Sequence, residues 1–293
     1  MMVDELNKVE ADLHIIGGDI FDKADASLKE IELYFELIAK LTHKTIIYSG
    51  NHEAKTKSYG ILHYLAEETT RCNPLVQVVL EPYRSKEFDI IDFFELHKDW
   101  EPRTSDILFT HVRAELPEHM KTEPEIDLAK FDDYAIVFAG DLHAHSMSQK
   151  TAGGTPIIYP GSPLTTSFHR ELVEGENGYL IIDTELGDWT FHSLDTLPQL
   201  LRLKVDSEAA MKEDPYHRVI YELEGDLQTL GKVKDADLLD KKVNISVSKD
   251  ATLELEGLTV EEELAIYLAE VEGLEPHTIK RIMKRFASAV KTS

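Results

Sequence analysis

The chain has 293 residues, 42% hydrophobic and 29% charged, a length that suits one large domain with a smaller one. It holds no run of about 18 apolar residues, so no membrane-spanning helix is expected, and its N-terminus lacks the basic and apolar regions of a signal peptide. The formal net charge of −24 argues against gripping nucleic acid through its own basic surface, but leaves room for a partner that supplies a positive groove.

Residues Met1 to Ala11 read as the tail of a helix. Leu13–Ile16 is a short apolar strand ending at Gly17-Gly18-Asp19. Ser27 and Glu30 form a capping box, and the helix after it carries Leu28, Ile31, Phe35 and Ile38 at helical spacing. Thr45–Tyr48 is the next strand and ends at Gly50-Asn51-His52. A helical stretch follows over roughly Tyr59 to Thr70. Strands are expected at Val76–Leu80 and Phe88–Phe94, at Ile107–Phe109 ending in Thr110-His111, and at Tyr134–Ala139 ending in Gly140-Asp141-Leu142-His143. Pro156–Tyr159 leads into Pro160-Gly161-Ser162-Pro163. Gly178–Ile182 and Trp189–Phe191 read as a hairpin turning near Gly187-Asp188.

Strands alternate with helices first and dominate later, the pattern of an α/β sandwich of mixed sheets. The character changes near residue 200. Arg218–Tyr221 and Val243–Val247 read as strands of a small second unit. Thr259 and Glu262 form a second capping box, opening a helix with Val260, Leu264, Tyr267, Leu268 and Val271 on one face. Gly273 stops it and Pro276 starts another, apolar at Ile279, Ile282, Met283, Phe286 and Val290. These breaks divide the chain into 1–198, 199–257 and 258–293. Cys72 is the only cysteine, so no intrachain disulfide can form. A cytoplasmic location fits that and the absence of a leader.

Four strands end in a potential metal ligand: Asp19, Asn51, His111 and Asp141, with His143 two residues further on. In open α/β sheets, sites gather at the carboxyl ends of strands, so separate loops can bring these side chains to one pocket. Mixed nitrogen and oxygen donors suit manganese, iron or zinc better than calcium. Two metals about 3.5–4 Å apart can clamp a phosphodiester and activate a water, with Asp19 the best bridging carboxylate. His52, beside Asn51, fits a general acid that protonates the leaving oxygen; a capping histidine is the structural alternative. Asp22 and Glu53 fit loop orientation better than metal ligation.

The blocks Gly18-Asp19-Ile20-Phe21-Asp22, Gly50-Asn51-His52-Glu53, Thr110-His111, Gly140-Asp141-Leu142-His143 and Tyr159-Pro160-Gly161-Ser162-Pro163 stand in the order of calcineurin-like metallophosphoesterases. The last block, followed by Gly178-Tyr179-Leu180-Ile181-Ile182, resembles the SbcD-type DNA repair nuclease subunit and its bacteriophage recombination-endonuclease relatives, over roughly residues 5 to 195. One block alone would be weak, whereas the ordered set is strong. The resemblance implies a four-layer sandwich of two mixed β-sheets flanked by helices, with a small C-terminal capping unit and terminal helices. It implies cleavage of DNA phosphodiesters, as exonuclease and endonuclease, with two manganese ions and an SbcC-type coiled-coil ATPase. By position, Asp19 would bridge the metals, Asn51, His111 and Asp141 would complete one site, His143 would belong to the other, and His52 would be the acid. It further implies a homodimer formed through helices near the core, docking of the terminal helices on the ATPase, and a host-cytoplasmic location for a phage protein.

Two departures stand out. The family usually has His at the position of Asp141; a carboxylate can still ligate, but favours harder ions. The family also opens with a strand ending in Asp-x-His, two ligands of the first metal, whereas this sequence begins inside the helix that follows that strand. Asp12-Leu13-His14 mimics the motif. Along an extended strand, however, His14 lies roughly 16 Å from Asp19, too far to share an ion, and it reads as a sheet side chain. The expectation is that this chain alone binds the first metal weakly and is poorly active.

Arg113, Arg170 and His145 lie beside the motifs; a phosphate contact and a loop salt bridge are both open for the arginines, and His145 fits a solvated loop. Ser162 and Thr165 fit turn formation or a DNA backbone contact. Lys280, Arg281, Lys284 and Arg285 read as the solvated face of the last helix. Two further functions compete with the nuclease: a phosphoesterase for a small phosphoester, and a non-catalytic scaffold that binds a partner through its helices.

Overall fold

The computed structural model describes residues 2–225, 230, 239–243 and 258–290. The chain divides into two compact units, Met1–Lys242 and Val243–Ser293.

In the first unit, a short helix α1 (Met2–Leu6) precedes β1 (His14–Gly17), α2 (Leu28–Lys40), β2 (Thr45–Tyr48), the small ribbon β3 (Ala54–Thr56) and β4 (Tyr59–Gly60), α3 (Ile61–Cys72) and β5 (Val76–Val79). Ser27 starts α2 by accepting from the Glu30 amide at 3.3 Å, while the Glu30 carboxylate accepts from the Ser27 amide at 2.6 Å. The strands pair in the order β1-β2-β5, all parallel, with Gly17 opposite Tyr48. Each crossover runs through a helix, which is why this sheet is parallel throughout its described strands rather than mixed.

A second sheet follows: β6 (Tyr83–Arg84), β7 (Asp89–Ile91), the one-turn helix α4 (Phe93–Leu96), β8 (Ile107–His111), β9 (Ile136–Gly140), β10 (Gln149–Lys150) and β11 (Pro156–Ile158). Its order is β10-β11-β9-β8-β7-β6, parallel in the centre and antiparallel at both edges. The apolar run Phe88–Phe94 is divided between a strand and a helix because Asp92 accepts from the Glu95 amide at 3.0 Å and caps α4.

Side-chain alternation makes the layers. Ile46 and Tyr48 of the first sheet meet Ile90, Ile107, Phe109, Ile136, Phe138 and Ile158 of the second in one core. On the far side of the first sheet, Ile47, Val76 and Val78 pack with Tyr34 and Ile38 of α2 and with Ile61 and Leu62 of α3. On the far side of the second, Leu108, Val137 and Ile157 pack with Leu96, Leu128 and Phe131. The layers thus run helix, sheet, sheet and a thin fourth layer made of the single turn of α4 and the 3-10 turn Leu128–Phe131. The hairpin β12 (Gly178–Asp183) and β13 (Asp188–Ser193) adds Leu180, Ile182 and Trp189 to the inter-sheet core.

A small sheet ends the first unit: β14 (Leu200–Val205), β15 (Arg218–Gly225) and β16 (Leu239–Val243), with β14 and β15 parallel. Of the strand expected over Val243–Val247, Val243 belongs to β16, and residues 244–247 lie outside the described residues. The sheet closes on one buried carboxylate. Glu222 accepts from Arg170, from Lys242 at 2.6 Å and from Arg202 at 3.3 Å. Lys242 and Arg170 hold its pKa down to about 2, with Arg202 adding to them against burial. A carboxyl whose folded pKa lies below its ordinary 4.5 contributes stability in full above 4.5 and loses it as pH falls from there toward 2. Amide exchange in β14 and β15, corrected for intrinsic rates, is therefore expected to accelerate over that window relative to β8 and β9, and Glu222→Gln to remove the pH dependence. Equal behaviour of both sheets would refute the assignment.

In the second unit, α5 (Val260–Glu270) and α6 (Pro276–Val290) pack on each other. Thr259 and Glu262 form the expected capping box, and Gly273 takes a positive φ of 60° between the helices. Ile279, Ile282, Met283 and Phe286 are half-buried, whereas Lys280, Arg281, Lys284 and Arg285 are exposed. No helix among the described residues is long and apolar enough to cross a membrane.

Candidate metal centre

Register brings the loops together. Because Gly17 pairs with Tyr48, the segments carrying Asp19 and Asn51 leave the same end of neighbouring strands. Because His111 pairs with Gly140, Asp141 follows beside His111. Two hydrogen bonds join the sheets at this end: the Tyr48 hydroxyl donates to the Thr110 carbonyl at 3.0 Å, and His111 Nδ1 donates to the Gly17 carbonyl at 2.8 Å.

That second bond leaves His111 Nε2 facing three oxygens: Asn51 Oδ1 at 3.1 Å, Asp19 Oδ2 at 3.3 Å and Asp141 Oδ1 at 3.6 Å. Ligand atoms of Asp19, His111 and Asp141 lie within 4.8 Å of one another, the one such group of His, Cys, Asp and Glu found among the described residues. The other oxygen of Asp19 is occupied, accepting from the His52 amide at 3.0 Å. One nitrogen and three oxygens converging on a point are a donor set for a divalent ion of intermediate hardness. The electrostatics agree. Burial opposes charge on His111, yet its bonds to Asp141 and Asp19 raise its pKa to about 10. Burial likewise opposes ionisation of Asp19, yet His111 and the His52 amide hold its carboxyl below the usual range. The pocket stabilises positive charge at its centre, so the residues fit a cation.

The backbone there is unusual. Asp19 (φ 54°) and Asp141 (φ 93°) are two of three non-glycine residues with positive φ among those described. Such conformations cost on the order of 1–3 kcal/mol each and persist where surrounding bonds over-determine them. Gly18, at φ 87°, and Gly50 leave the required space. A Cβ at Gly18 would overlap the His111 ring, and one at Gly50 would overlap the Asp19 carboxylate.

Glu53 ties both loops. Fully buried, it accepts from the amides of Gly50 at 2.7 Å, Phe21 at 2.8 Å and Asp19 at 2.9 Å. Burial pushes its carboxyl up and Asp19 adds to this, against the pull of the three amides. Loop orientation, the role expected of Glu53, is the role this geometry gives it. Asp22 contributes its carbonyl, which accepts from Nδ1 of the exposed His52 ring at 2.7 Å and so leaves Nε2 as the ring nitrogen not engaged by that bond.

Other candidates lie apart. The exposed His143 is outside the cluster, with Nδ1 2.7 Å from Thr166 Oγ1. His14 Nε2 donates to the Val9 carbonyl at 3.0 Å and its ring stacks on His43, so it acts as a structural side chain. His145 is pinned rather than solvated: its Nδ1 bonds the Tyr159 carbonyl at 2.6 Å and its ring stacks on Phe191 at 4.0 Å. Arg170 pairs with Glu222. Thr165 Oγ1 accepts from the Leu200 amide at 2.9 Å. Thr166 was not marked by the sequence: it stands 23 residues from the histidine it touches, and no local pattern signals that contact.

Residues 1–145 match the calcineurin-like phosphoesterase family. The chain is also 46% identical over 297 residues to the protein described as probable exonuclease subunit 1 of Escherichia phage T5, covering 99% of this chain and 90% of that one. The chain belongs to the calcineurin-like phosphoesterase family. By that membership it is a phosphoester hydrolase using divalent metal ions, and the resemblance read from the ordered blocks is borne out. A solved archaeal phosphodiesterase aligns over 64% of this chain and 86% of its own, at 17% identity and a TM-score of 0.36.

Proposed function

We propose that the chain is the nuclease subunit of a DNA repair or recombination complex and hydrolyses DNA phosphodiester bonds with two divalent ions, most favourably Mn2+. The convergence of Asp19, Asn51 and Asp141 on His111 Nε2 carries this reading. The phage T5 relative described as an exonuclease subunit supports the substrate. Its description as a subunit supports a partner, for which an SbcC-type coiled-coil ATPase is proposed.

Asp19, Asn51, His111 and Asp141 hold one ion, and His143 contributes to the other. Bound ions supply positive charge against the phosphodiester and allow water to act as nucleophile near neutral pH. The chain supplies the rest. Glu53 and the Gly17 carbonyl hold the ligands in register. His52 is the general acid. With Nδ1–H donated to the Asp22 carbonyl, its Nε2 carries the proton passed to the leaving oxygen.

The net charge of −24 fits a division of labour in which the partner contributes the positive DNA-binding groove. Residues 1–198 are the nuclease core, 199–257 the capping unit and 258–293 the partner-binding helices. The half-buried apolar stripe of α6, beside its exposed cationic face, suits docking on a coiled coil. A homodimer and a location in host cytoplasm belong to the same reading.

The test compares Mn2+-dependent cleavage of linear duplex DNA with that of a small aryl phosphodiester, using the chain with and without its ATPase partner. Preferential DNA cleavage stimulated by the partner is expected. Turnover of the small ester alone would favour a small-substrate phosphoesterase, and no turnover of either a scaffold.

A further inference from the structure

The backbone and ring of His143 are held by different parts of the fold. Its carbonyl accepts from the Ser162 amide at 3.1 Å and from Asn177 Nδ2 at 3.3 Å. Its ring is held by Thr166, whose Oγ1 lies 2.7 Å from Nδ1. In the tautomer that ligates through Nε2, Nδ1 carries the proton and the hydroxyl accepts it; such outer partners fix a histidine ring for metal binding.

Thr166 sits in a segment fastened to the small sheet on both sides of it. Before it, Thr165 Oγ1 accepts from the Leu200 amide at 2.9 Å. After it, the His169 amide donates to the Leu200 carbonyl at 3.0 Å and the Arg202 amide donates to the His169 carbonyl at 2.8 Å, laying His169 parallel beside Leu201. Arg170 then reaches over β14 to Glu222 on β15, the buried carboxylate it shares with Arg202 and Lys242. A shift of β14 and β15 would thus move Thr166 and turn the ring while Ser162 and Asn177 keep the backbone in place.

We propose that Thr166 is a positioning residue for His143 and that the Arg170–Glu222 anchor lets the small sheet set the orientation of this metal ligand. The proposal rests on the reading of His143 as a ligand given above. It makes loading of the ion that His143 would hold responsive to the position of the small sheet, and hence to anything that moves that sheet.

The experiment uses the full-length chain with Thr166→Val, Thr166→Ser, Glu222→Gln and Arg170→Met. Long-range 1H–15N spectra of the metal-free protein, with the His143 ring assigned through His143→Gln, report the tautomer. A single Nδ1–H form is expected in the native chain and in T166S, and mixed tautomers in T166V, E222Q and R170M, although the last two changes do not touch the ring. In Mn2+ titrations the weaker binding step is expected to loosen roughly tenfold in the same three variants and to recover in T166S. R170M alters a half-exposed side chain and stands in if E222Q unfolds the sheet. A native tautomer with native Mn2+ affinity in T166V, or in R170M, overturns the proposal. The ring is read without DNA or turnover, so a chain that fails to cut DNA would defeat the proposed function while leaving this result to be judged by itself.

Discussion

Replacing His52 with Gln is expected to lower kcat for DNA cleavage roughly 100- to 10,000-fold, the range for loss of a positioned general acid, with Mn2+ affinity little changed. The division follows from which atoms His52 uses. Its backbone amide, which survives substitution, donates to Asp19 and so supports one of the proposed metal ligands. Its ring touches the Asp22 carbonyl through Nδ1, which leaves Nε2 for proton transfer. The leaving group supplies the control. A DNA alkoxide needs a proton as it departs, whereas an activated aryl oxide departs well without one. H52Q is therefore expected to lose far more activity on DNA than on an aryl phosphodiester. Equal losses on both substrates would mean that His52 supports the site rather than protonating the leaving group.

The second large effect is expected at Glu53. Glu53→Ala leaves the amides of Asp19, Phe21 and Gly50 without their acceptor in a buried place. Each unsatisfied buried group costs about 1–3 kcal/mol, so a loss of at least roughly 3 kcal/mol is expected once water has relieved part of the penalty. In a domain of this size that corresponds to a fall in Tm of about 6–12 °C. Mn2+ affinity should fall with it, because the same amides fix the loops of Asp19 and Asn51. Glu53→Gln keeps an acceptor oxygen and is expected to do less damage. A thermal melt of E53A indistinguishable from the native one would exclude the role of loop strap.

The strands that carry the proposed ligands were legible because each is a short apolar run cut off by polar residues, with glycine beside them at β1, β2 and β9. β1, β2, β8 and β9 all end where Gly17, Gly50, His111 and Gly140 suggest. Both capping boxes were legible for a local reason, since the cap and its partner lie three residues apart. What escaped is what tertiary structure decides. The ribbon β3–β4 is formed by the polar, largely exposed stretch Ala54–Gly60, which has no apolar alternation to reveal it. Its residues Tyr59 and Gly60 displace the start of α3 to Ile61. β14 was legible but not among the expected strands: Leu201, Leu203 and Val205 alternate with Arg202 and Lys204, between Pro198 and Asp206-Ser207. Within the site, the order of the candidate ligands could be read but not the left-handed backbone of Asp19 and Asp141, because such strain exists only once neighbouring bonds enforce it. The contact of His143 with Thr166 is invisible in sequence for the same reason.

Hydrolysis is expected to depend on one divalent-metal position formed by Asp19, Asn51, His111 and Asp141. Calorimetric titration of the native chain and of His111→Gln with Mn2+ tests it most directly, because His111 Nε2 is the atom the three oxygens surround. Saturable binding by the native chain, with loss of that binding step in a folded H111Q, is expected. Native-like Mn2+ binding by H111Q would contradict the claim.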